Sequence, residues 1–459
     1  MSEEFMKFER YFDEKIYRMQ NTDEIRKLQL EKLRKRVDEF CKRIPMLKAL
    51  LDAKGVKSPE SITLDEFKEA VPLRIQREAA ASQPSEKPSA NLVETQAARA
   101  GIAPSDFRIL ASTSGTTGEP SPYFLTELDL NLQAQGMTRM LYFVANGDIE
   151  EIRKFVVLEA FALCMAGAGT PGVVTFIMCG LPVIPVGAET KTQKSLEIAE
   201  KFGANLFFGT PSLAEHMIDI DSEALKRINF KRLICGAEPG LDVPEIRKKI
   251  EDGFGCPATN AMGLIGGLAW CSCDEYWQDG MHYLSDDIQF IDLADPETRE
   301  PVPWQDGATG LLVLTGLEGS MPPVRVSPGD IVQVRTEACK CGKPGWRMRV
   351  IGRSDDLLKV RGVAVYPVQI DGVIASFSPR TTGEFRIVLD KPGPKVEPPL
   401  KLKIEYGEGV QEEELEALAN EIAQAMHDKL SIRPKIEWLP PNTLERFQYK
   451  TKLIEKTYQ

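Results

Sequence analysis

The chain has 459 residues, of which 42% are hydrophobic and 27% are charged, a composition typical of a globular protein with more than one core. Its net charge of −11 argues against a dedicated nucleic-acid-binding protein, which would be expected to carry a basic face. No apolar run reaches the roughly 18 to 20 residues that span a bilayer, and the acidic N-terminus lacks the apolar core of a signal peptide. We therefore expect a cytoplasmic protein without nucleic-acid or membrane partners.

The first three quarters of the chain predict an α/β fold. Residues 5 to 52 are predicted to be helical almost throughout, because apolar residues recur at spacings of three and four, and residues 80 to 90 predict a surface connection. From about residue 107 to 330, short strand-like runs alternate with helical ones, which implies βαβ units and a largely parallel sheet with ligands at the carboxyl ends of its strands. The predicted strands are Phe107–Leu110, Pro182–Val186, Asn205–Phe208, Arg232–Cys235 and Thr309–Thr315, and the predicted helices are Val173–Met178, Lys194–Phe202, Ser212–Ile218 and Val243–Glu251.

The pattern changes after Val350 to that of a smaller α+β unit. We predict a large domain over residues 1–352 and a small domain over residues 353–459. The small domain is predicted to contain helices at Val368–Ser376 and Glu412–Leu430 and strands at Glu384–Leu389, Lys401–Tyr406 and Lys435–Leu439.

A loop rich in hydroxyl groups and glycine follows the first predicted strand. Its residues are Ser112, Thr113, Ser114, Gly115, Thr116, Thr117 and Gly118. Glycines allow successive backbone N–H groups to converge on an anion, and the hydroxyl groups add neutral donors for phosphate oxygens. The loop is not a Walker A motif, because no lysine follows Gly118. By itself, the loop predicts either a phosphate-binding site or an ordinary polar turn.

Two Cys-x-Cys pairs offer ligands for a metal ion. Thiolates and imidazole suit Zn²⁺, and four protein ligands make a closed structural site. We predict Cys273, His282, Cys339 and Cys341 as the ligands, with Cys271 as a spare. The alternative is a set of unliganded thiols in a reducing compartment.

Five motifs occur in the order known from one superfamily. They are Ser112–Gly118, Gly236-Ala-Glu-Pro239, Val324-Arg-Val-Ser-Pro-Gly-Asp330, Gly352-Arg-Ser-Asp-Asp-Leu-Leu-Lys359 and Tyr366-Pro367. This series resembles the adenylate-forming superfamily of acyl-CoA synthetases. Within it, the chain is similar to the phenylacetate-CoA ligase branch, which includes coenzyme F390 synthetase-like proteins. The resemblance implies a large adenylating domain and a small mobile C-terminal domain.

The resemblance also implies a reaction and its cofactors. ATP and Mg²⁺ would activate an aryl or apolar acyl carboxylic acid to an acyl adenylate, and coenzyme A would then displace AMP. The wall between residues 157 and 186 would include the acid pocket. Members of this family often dimerise, and the sequence leaves a homodimer open.

Individual residues acquire roles from the same resemblance. Gly236, Ala237 and Glu238 would flank the adenine, and Met262 would stand at its ring-stacking position. Asp330 would accept the two ribose hydroxyls, a role suited to a carboxylate, and Arg353 would contact ribose or phosphate during catalysis. Asp355 would lie at the hinge. Lys450 aligns with the catalytic lysine that bridges the α-phosphate and the acid, with Lys452 as the alternative.

The chain departs from the family pattern at two places beside the expected triphosphate. Gly266 stands where a glutamate normally positions Mg²⁺, and Glu119 stands where lysine is frequent. Both departures change the charge around the phosphates. They support an alternative function, in which the protein is a non-catalytic or repurposed member that binds a nucleotide or an acid without forming a thioester.

Overall fold

The computed structural model of the chain describes residues 7–43, 45–56, 58–76, 92–112, 122–263, 270–444 and 453–458. Several predictions lie outside these residues. They concern the connection at residues 80–90 and the residues Thr113, Ser114, Gly115, Thr116, Thr117, Gly118, Glu119, Gly266, Lys450 and Lys452.

The N-terminal region is helical, as predicted, but it is divided into separate helices. These are α1 (Phe8–Tyr11), α2 (Glu14–Met19), α3 (Asp23–Arg43), α4 (Pro45–Ala53) and α5 (Leu64–Ala70). Asp13 begins α2 by accepting a hydrogen bond from the amide of Ile16, as a helix N-cap does. Leu33 and Val37 of α3 are buried in a cluster that includes Phe290 of a later strand. Helix α3 therefore packs against the rest of the same chain.

The middle of the chain forms the predicted βαβ units. After β1 (Arg74–Ile75) and α6 (Leu92–Ala100), strands β2 (Phe107–Ser112) and β3 (Pro122–Thr126) pair with each other. The following strands are β4 (Val157–Glu159), β5 (Val183–Pro185), β6 (Leu206–Gly209), β7 (Arg232–Gly236) and β8 (Ala258–Met262). The helices around them are α7 (Glu127–Val144), α8 (Ile149–Ile152), α9 (Thr170–Met178), α10 (Thr192–Phe202), α11 (Pro211–Ile228) and α12 (Pro244–Phe254). These five strands pair in parallel in the order β5-β4-β6-β7-β8, so their carboxyl ends share one edge.

The prediction of a largely parallel sheet is wrong for the rest of this sheet. Its further strands are β9 (Trp270–Ser272), β10 (Met281–Tyr283), β11 (Gln289–Ala294), β12 (Pro301–Val302), β13 (Thr309–Gly316), β14 (Val326–Ser327), β15 (Asp330–Arg335) and β16 (Arg347–Arg353). Strands β8 to β16 pair antiparallel with one another. Short connections allow this for neighbours such as β9 and β10, because parallel neighbours need a longer crossover.

The C-terminal region forms its own sheets and core. Its elements are β17 (Leu358–Val360), β18 (Val363–Val365), α13 (Pro367–Ala375), β19 (Thr381–Leu389), β20 (Lys395–Val396), β21 (Leu400–Tyr406), α14 (Leu415–Leu430), β22 (Pro434–Leu439) and β23 (Ile454–Lys456). A four-stranded sheet has the order β22-β21-β19-β23. Ile370, Ile387 and Ile422 lie in the apolar cluster that α13 and α14 form with this sheet. Among the described helices, we find none whose length and apolar content would allow it to cross a bilayer.

Candidate active site and metal centre

A cleft of about 1300 Å³ lies where the carboxyl ends of the parallel strands face the C-terminal region. From the large sheet and its loops, Ala237, Met262 and Asp330 line the cleft, and Asp371 and Asn442 line it from the opposite side. This position agrees with the expectation that ligands of α/β sheets bind beyond the carboxyl ends of the strands. The cleft is therefore the candidate active site.

The segment that follows β7 reaches the cleft through a close backbone approach. A Cβ atom on Gly236 would lie 2.2 Å from the carbonyl oxygen of Ala261 on β8, so only glycine fits there. The next residue, Ala237, has φ of 69°, a left-handed conformation that is strained for a residue with a side chain. Such strain is typical of functional sites, where surrounding structure enforces the conformation.

The side chain of Glu238 has a role that the sequence did not predict. Its Oε1 accepts a hydrogen bond of 2.8 Å from the backbone amide of Ser212, in the first turn of α11. The carboxylate thereby satisfies one of the amides that a helix N-terminus leaves without a partner. Glu238 thus ties the cleft segment to α11.

Asp330, Arg353 and Asp355 form one connected group at the edge of the cleft. The Arg353 Nη1 donates to Asp330 Oδ1 at 2.9 Å, and its Nε donates to Asp355 Oδ1 at 3.0 Å. A third hydrogen bond joins Arg353 Nη2 to the carbonyl of Pro328 at 2.9 Å. The planar guanidinium fork therefore links Asp330 to Asp355, the residue predicted at the hinge. This link requires β15 and β16 to pair with Asp330 opposite Arg353, as they do.

The one described residue of the hydroxyl-rich loop, Ser112, lies beside the predicted wall of the acid pocket. Its amide donates to the carbonyl of Cys164 at 3.2 Å, and its carbonyl accepts from the amide of Ala166 at 2.9 Å. The loop therefore leaves β2 from a position fixed against residues 164–166.

Sequence reasoning missed two polar residues of the cleft. Asn260 lies in the middle of β8, and Asp242 follows the Gly236–Pro239 motif; both line the cleft. Burial raises the pKa of Asp242, and a hydrogen bond with Asn260 opposes that effect. The only signal for Asn260 was its place on a parallel strand.

A third missed residue, Asp371, is contributed by α13. Burial first, and the nearby carboxylates Glu215, Glu384 and Glu238 next, raise the pKa of Asp371 to about 7. Carboxylates from both sides of the cleft thus disfavour one another's charge.

Four predicted metal ligands lie together some distance along the same sheet. The ligand atoms of Cys273, His282, Cys339 and Cys341 all lie within 4.8 Å of one another. The Sγ atoms of Cys273 and Cys339 are 4.0 Å apart, and Cys341 Sγ is 3.5 Å from His282 Nε2. Tetrahedral zinc with Zn–S bonds of about 2.3 Å would place its sulfur ligands roughly 3.8 Å apart, so the group has a suitable size.

The surroundings of this group favour its role as a ligand set. His282 Nδ1 lies 2.7 Å from the carbonyl of Pro344. A proton on Nδ1 would satisfy that carbonyl and leave the lone pair of Nε2 for a metal. Hydrogen bonds from Cys273 and then His282 hold the pKa of the Cys341 thiol well below its usual range, which favours the thiolate. Cys271 is also buried, but it does not belong to the group.

Two family models match the chain. The model described as "AMP-binding enzyme" matches residues 29–321. The model described as "AMP-binding enzyme C-terminal domain" matches residues 362–456.

Named relatives and solved structures agree with these matches. A phenylacetate-coenzyme A ligase of Thermus thermophilus is 29% identical over 92% of this chain and 94% of its own length. A structure of 2-hydroxyisobutyryl-CoA ligase in the postadenylation state has a TM-score of 0.76 at 22% identity, covering 93% of this chain and 88% of that one. The same ligase in the thioesterification state has a TM-score of 0.60 at 23% identity, covering 94% and 90%.

Proposed function

Because the chain belongs to the AMP-binding enzyme family, we propose that it is an acid–thiol ligase that forms acyl-coenzyme A. It activates a carboxylic acid with ATP to give an acyl adenylate, and it transfers the acyl group to coenzyme A. AMP and pyrophosphate are the other products.

The reaction consists of two substitutions. In the first, a carboxylate oxygen of the acid attacks the α-phosphorus of ATP, and the bond from that phosphorus to the β-phosphate bridging oxygen breaks to release pyrophosphate. In the second, the sulfur of coenzyme A attacks the acyl carbon, the bond to the AMP oxygen breaks, and the thiol proton leaves to solvent. Both steps depend on placing the reactants in line and on stabilising the charge that moves onto the leaving group.

The cleft supplies the groups for the nucleotide in this proposal. Asp330 accepts the ribose hydroxyls, Arg353 contacts ribose or phosphate, and the segment from Gly236 to Glu238 flanks the adenine together with Met262. The loop from Ser112 to Gly118 holds the β- and γ-phosphates. Mg²⁺ enters with ATP, as the counter-ion of the triphosphate. The Cys and His group is a separate site; among the described residues it is the one cluster able to hold a metal ion.

We place the boundary between the two domains at residues 352 and 353, with Asp355 as the hinge. The Arg353 fork supports this assignment, because its bonds to Asp330 and Asp355 join the nucleotide side of the cleft to the chain that leads into the small domain. Rotation at this point would exchange the faces presented to the acyl adenylate between the two steps.

The acid is proposed to be aryl or apolar. The wall beside Ser112 contains Phe161, which packs edge-to-face on Phe208 with ring centroids 4.8 Å apart, and Ala160 and Ala162 are also buried there. Phe161, Phe208 and Ala160 are buried in apolar clusters, and an apolar environment of this kind favours an apolar acid over a charged or sugar-like one. The phenylacetate-coenzyme A ligase name of the Thermus relative supports an arylacetic acid first.

We assign structural zinc to Cys273, His282, Cys339 and Cys341. Three sulfurs and one imidazole complete a tetrahedral site with no position for a substrate. When bound, the ion would cross-link the residue directly after β9, strand β10 and the turn that follows β15. The cytoplasm is the proposed compartment, since a thiolate site of this kind needs reduced cysteines. A homodimer stays a prediction.

The observation that carries the proposal is the joining of Asp330, Arg353 and Asp355 in a cleft that both domains line. An ATP–pyrophosphate exchange assay over a panel of aryl and short apolar acids tests it. We expect exchange with at least one acid and a loss of at least 100-fold in Lys450→Ala, in line with removal of a group acting on the transition state. Lys435→Ala, on β22, is the matched control and should retain exchange. Nucleotide binding without exchange for every acid would support the non-catalytic alternative.

A further inference from the structure

Glu405 is a fully buried carboxylate near the C-terminal end of β21. Three neutral donors contact it. The backbone amide of Leu444 donates to Oε1, and the amide of Asn442 and the hydroxyl of Thr382 donate to Oε2 at 3.3 and 3.1 Å. A buried carboxylate is expensive unless hydrogen bonds compensate it, and charge-assisted hydrogen bonds of this kind are about twice as strong as neutral ones. The Glu405 side chain therefore holds the turn at residues 441–444 firmly.

This turn lies directly before the segment that carries Lys450. Strand β22 ends at Leu439, so no strand pairing holds residues 442 and 444. On the other side of the segment, the carbonyl of Leu453 accepts a hydrogen bond of 2.7 Å from the amide of Ile387, and β23 then pairs with β19. Asn442 and Leu453 both line the cleft. The described residues that flank Lys450 in the sequence, Asn442 and Leu453, are thus held on the same wall of the cleft.

The residues on the two sides of the Lys450 segment are held by different interactions. The Leu453 end is held by strand pairing, which many residues share. The Asn442 and Leu444 end depends on the carboxylate of one residue that lies almost 40 positions earlier in the chain. A single substitution can therefore release one end while leaving the strand order of the small sheet intact.

We infer that Glu405 is a positioning residue for Lys450 in the adenylation step. The inference rests on the proposed function, in which Lys450 bridges the α-phosphate and the acid. Glu405 touches neither substrate. Glu405 fixes the position of residues 442–444, from which the chain continues to Lys450. Loss of this constraint lowers the fraction of time that Lys450 spends within reach of the transition state. The thioester step, which does not use Lys450, does not depend on Glu405.

Glutamine is the sharpest replacement at this position. It has nearly the same size, but it keeps one acceptor oxygen and places an amide N–H₂ group against a backbone N–H donor. Glu405→Gln should lower the kcat of ATP–pyrophosphate exchange roughly tenfold, with the KM for ATP within about twofold, because the interaction acts in the transition state and not on ground-state binding. Thioester formation from supplied acyl adenylate and coenzyme A should stay within about twofold. Glu437→Gln, on the exposed side of the neighbouring strand β22, is the matched control.

A double-mutant cycle with Lys450→Ala separates positioning from a structural role. If Glu405 acts through Lys450, adding Glu405→Gln to Lys450→Ala lowers exchange no further. Additive losses, or equal losses in both half-reactions, would overturn the inference. If Glu405→Gln does not fold, Glu405→Asp withdraws the carboxylate by one methylene group and should show the same split. Wild-type protein is assayed before any variant. If it shows ATP–pyrophosphate exchange with none of the acids, the proposed function itself is wrong.

Discussion

Replacing Glu159 by glutamine is expected to change how the stability of the protein depends on pH. Glu159 ends β4, and none of its surface is exposed. The amide of Phe161 donates to Oε1 at 2.9 Å, whereas Oε2 has no hydrogen-bond partner among the described residues. Burial raises the pKa of Glu159 to about 8; the Phe161 hydrogen bond opposes this effect and the neighbouring Glu189 adds to it.

The magnitude follows from the difference between the folded and unfolded pKa values. An increase from 4.5 to about 8 corresponds to roughly 5 kcal/mol at 1.36 kcal/mol for each pH unit. Because the folded value is the higher one, this stability is fully present below pH 4.5 and is lost as the pH rises through about 8. Most of the loss occurs below neutrality, and about 1 kcal/mol is lost between pH 7 and pH 9.

Urea denaturation of wild type and Glu159→Gln at pH 7 and pH 9 measures this effect. Between these pH values, the free energy of unfolding of the wild type should fall by about 1 kcal/mol more than that of the variant. The comparison uses the change with pH, so a constant penalty for burying the glutamine amide cancels. Glu197→Gln, at an exposed position of α10, should keep the wild-type pH dependence. If wild type and Glu159→Gln lose the same stability between pH 7 and pH 9, Glu159 does not release a proton in the folded state over this interval, and the prediction is wrong.

Three further predictions concern the metal centre, the cleft and the core. Protein purified without chelator should hold about one equivalent of zinc, Cys341→Ser should lose most of it, and Cys271→Ser should retain it; elemental analysis that finds no zinc in wild type would refute the site. Gly236→Ala should destabilise the protein by roughly 1 to 3 kcal/mol, as overpacking does, and raise the KM for ATP, because its Cβ would meet Ala261. Gly372→Ala, with open space around its Cβ, is the control, and equal ATP affinity in both variants would contradict the close approach. Arg139→Met should cost about 3 to 5 kcal/mol in chemical denaturation, because it leaves the buried Asp287 unpaired. The exposed pair of Arg153 and Glu9 should contribute little, because solvent screens it, and a loss in Arg153→Met as large as that in Arg139→Met would contradict the effect of burial.

Local patterns in the sequence were sufficient for much of the fold. The run from Val173 to Met178 was predicted as a buried helix and lies in α9, and Arg232–Cys235 was predicted as a strand and lies in β7. Each of these elements has a continuous apolar run or clear helical spacing, bounded by glycine or proline. Strands β9 and β10 have three residues each, too few for an alternation to be seen. These two strands were missed for that reason, whereas Thr309–Thr315 was predicted as a strand and lies in β13, without its antiparallel pairing.

The candidate metal ligands could be found from the sequence because two Cys-x-Cys pairs in one chain are an uncommon pattern that suits a metal site. The sequence favoured Cys273 and kept Cys271 as a spare, and the structure brings Cys273 into the group and leaves Cys271 outside it. Asn260 and Glu405 were beyond sequence reasoning. Asn260 lies in the middle of the short strand β8, and two of the three partners of Glu405 are backbone amides, which nearly every residue carries. Such roles depend on which distant segments the fold brings together.

The central claim, formation of an acyl-coenzyme A with release of AMP, is tested most directly by the stoichiometry of products. Wild-type protein is incubated with ATP, coenzyme A and the acid that gives the strongest exchange, and AMP and the acyl thioester are quantified by mass spectrometry. The account predicts one AMP for each thioester, no thioester when ATP, the acid or coenzyme A is left out, and ADP at background level. Release of ADP in place of AMP, or AMP without any thioester, would contradict the account.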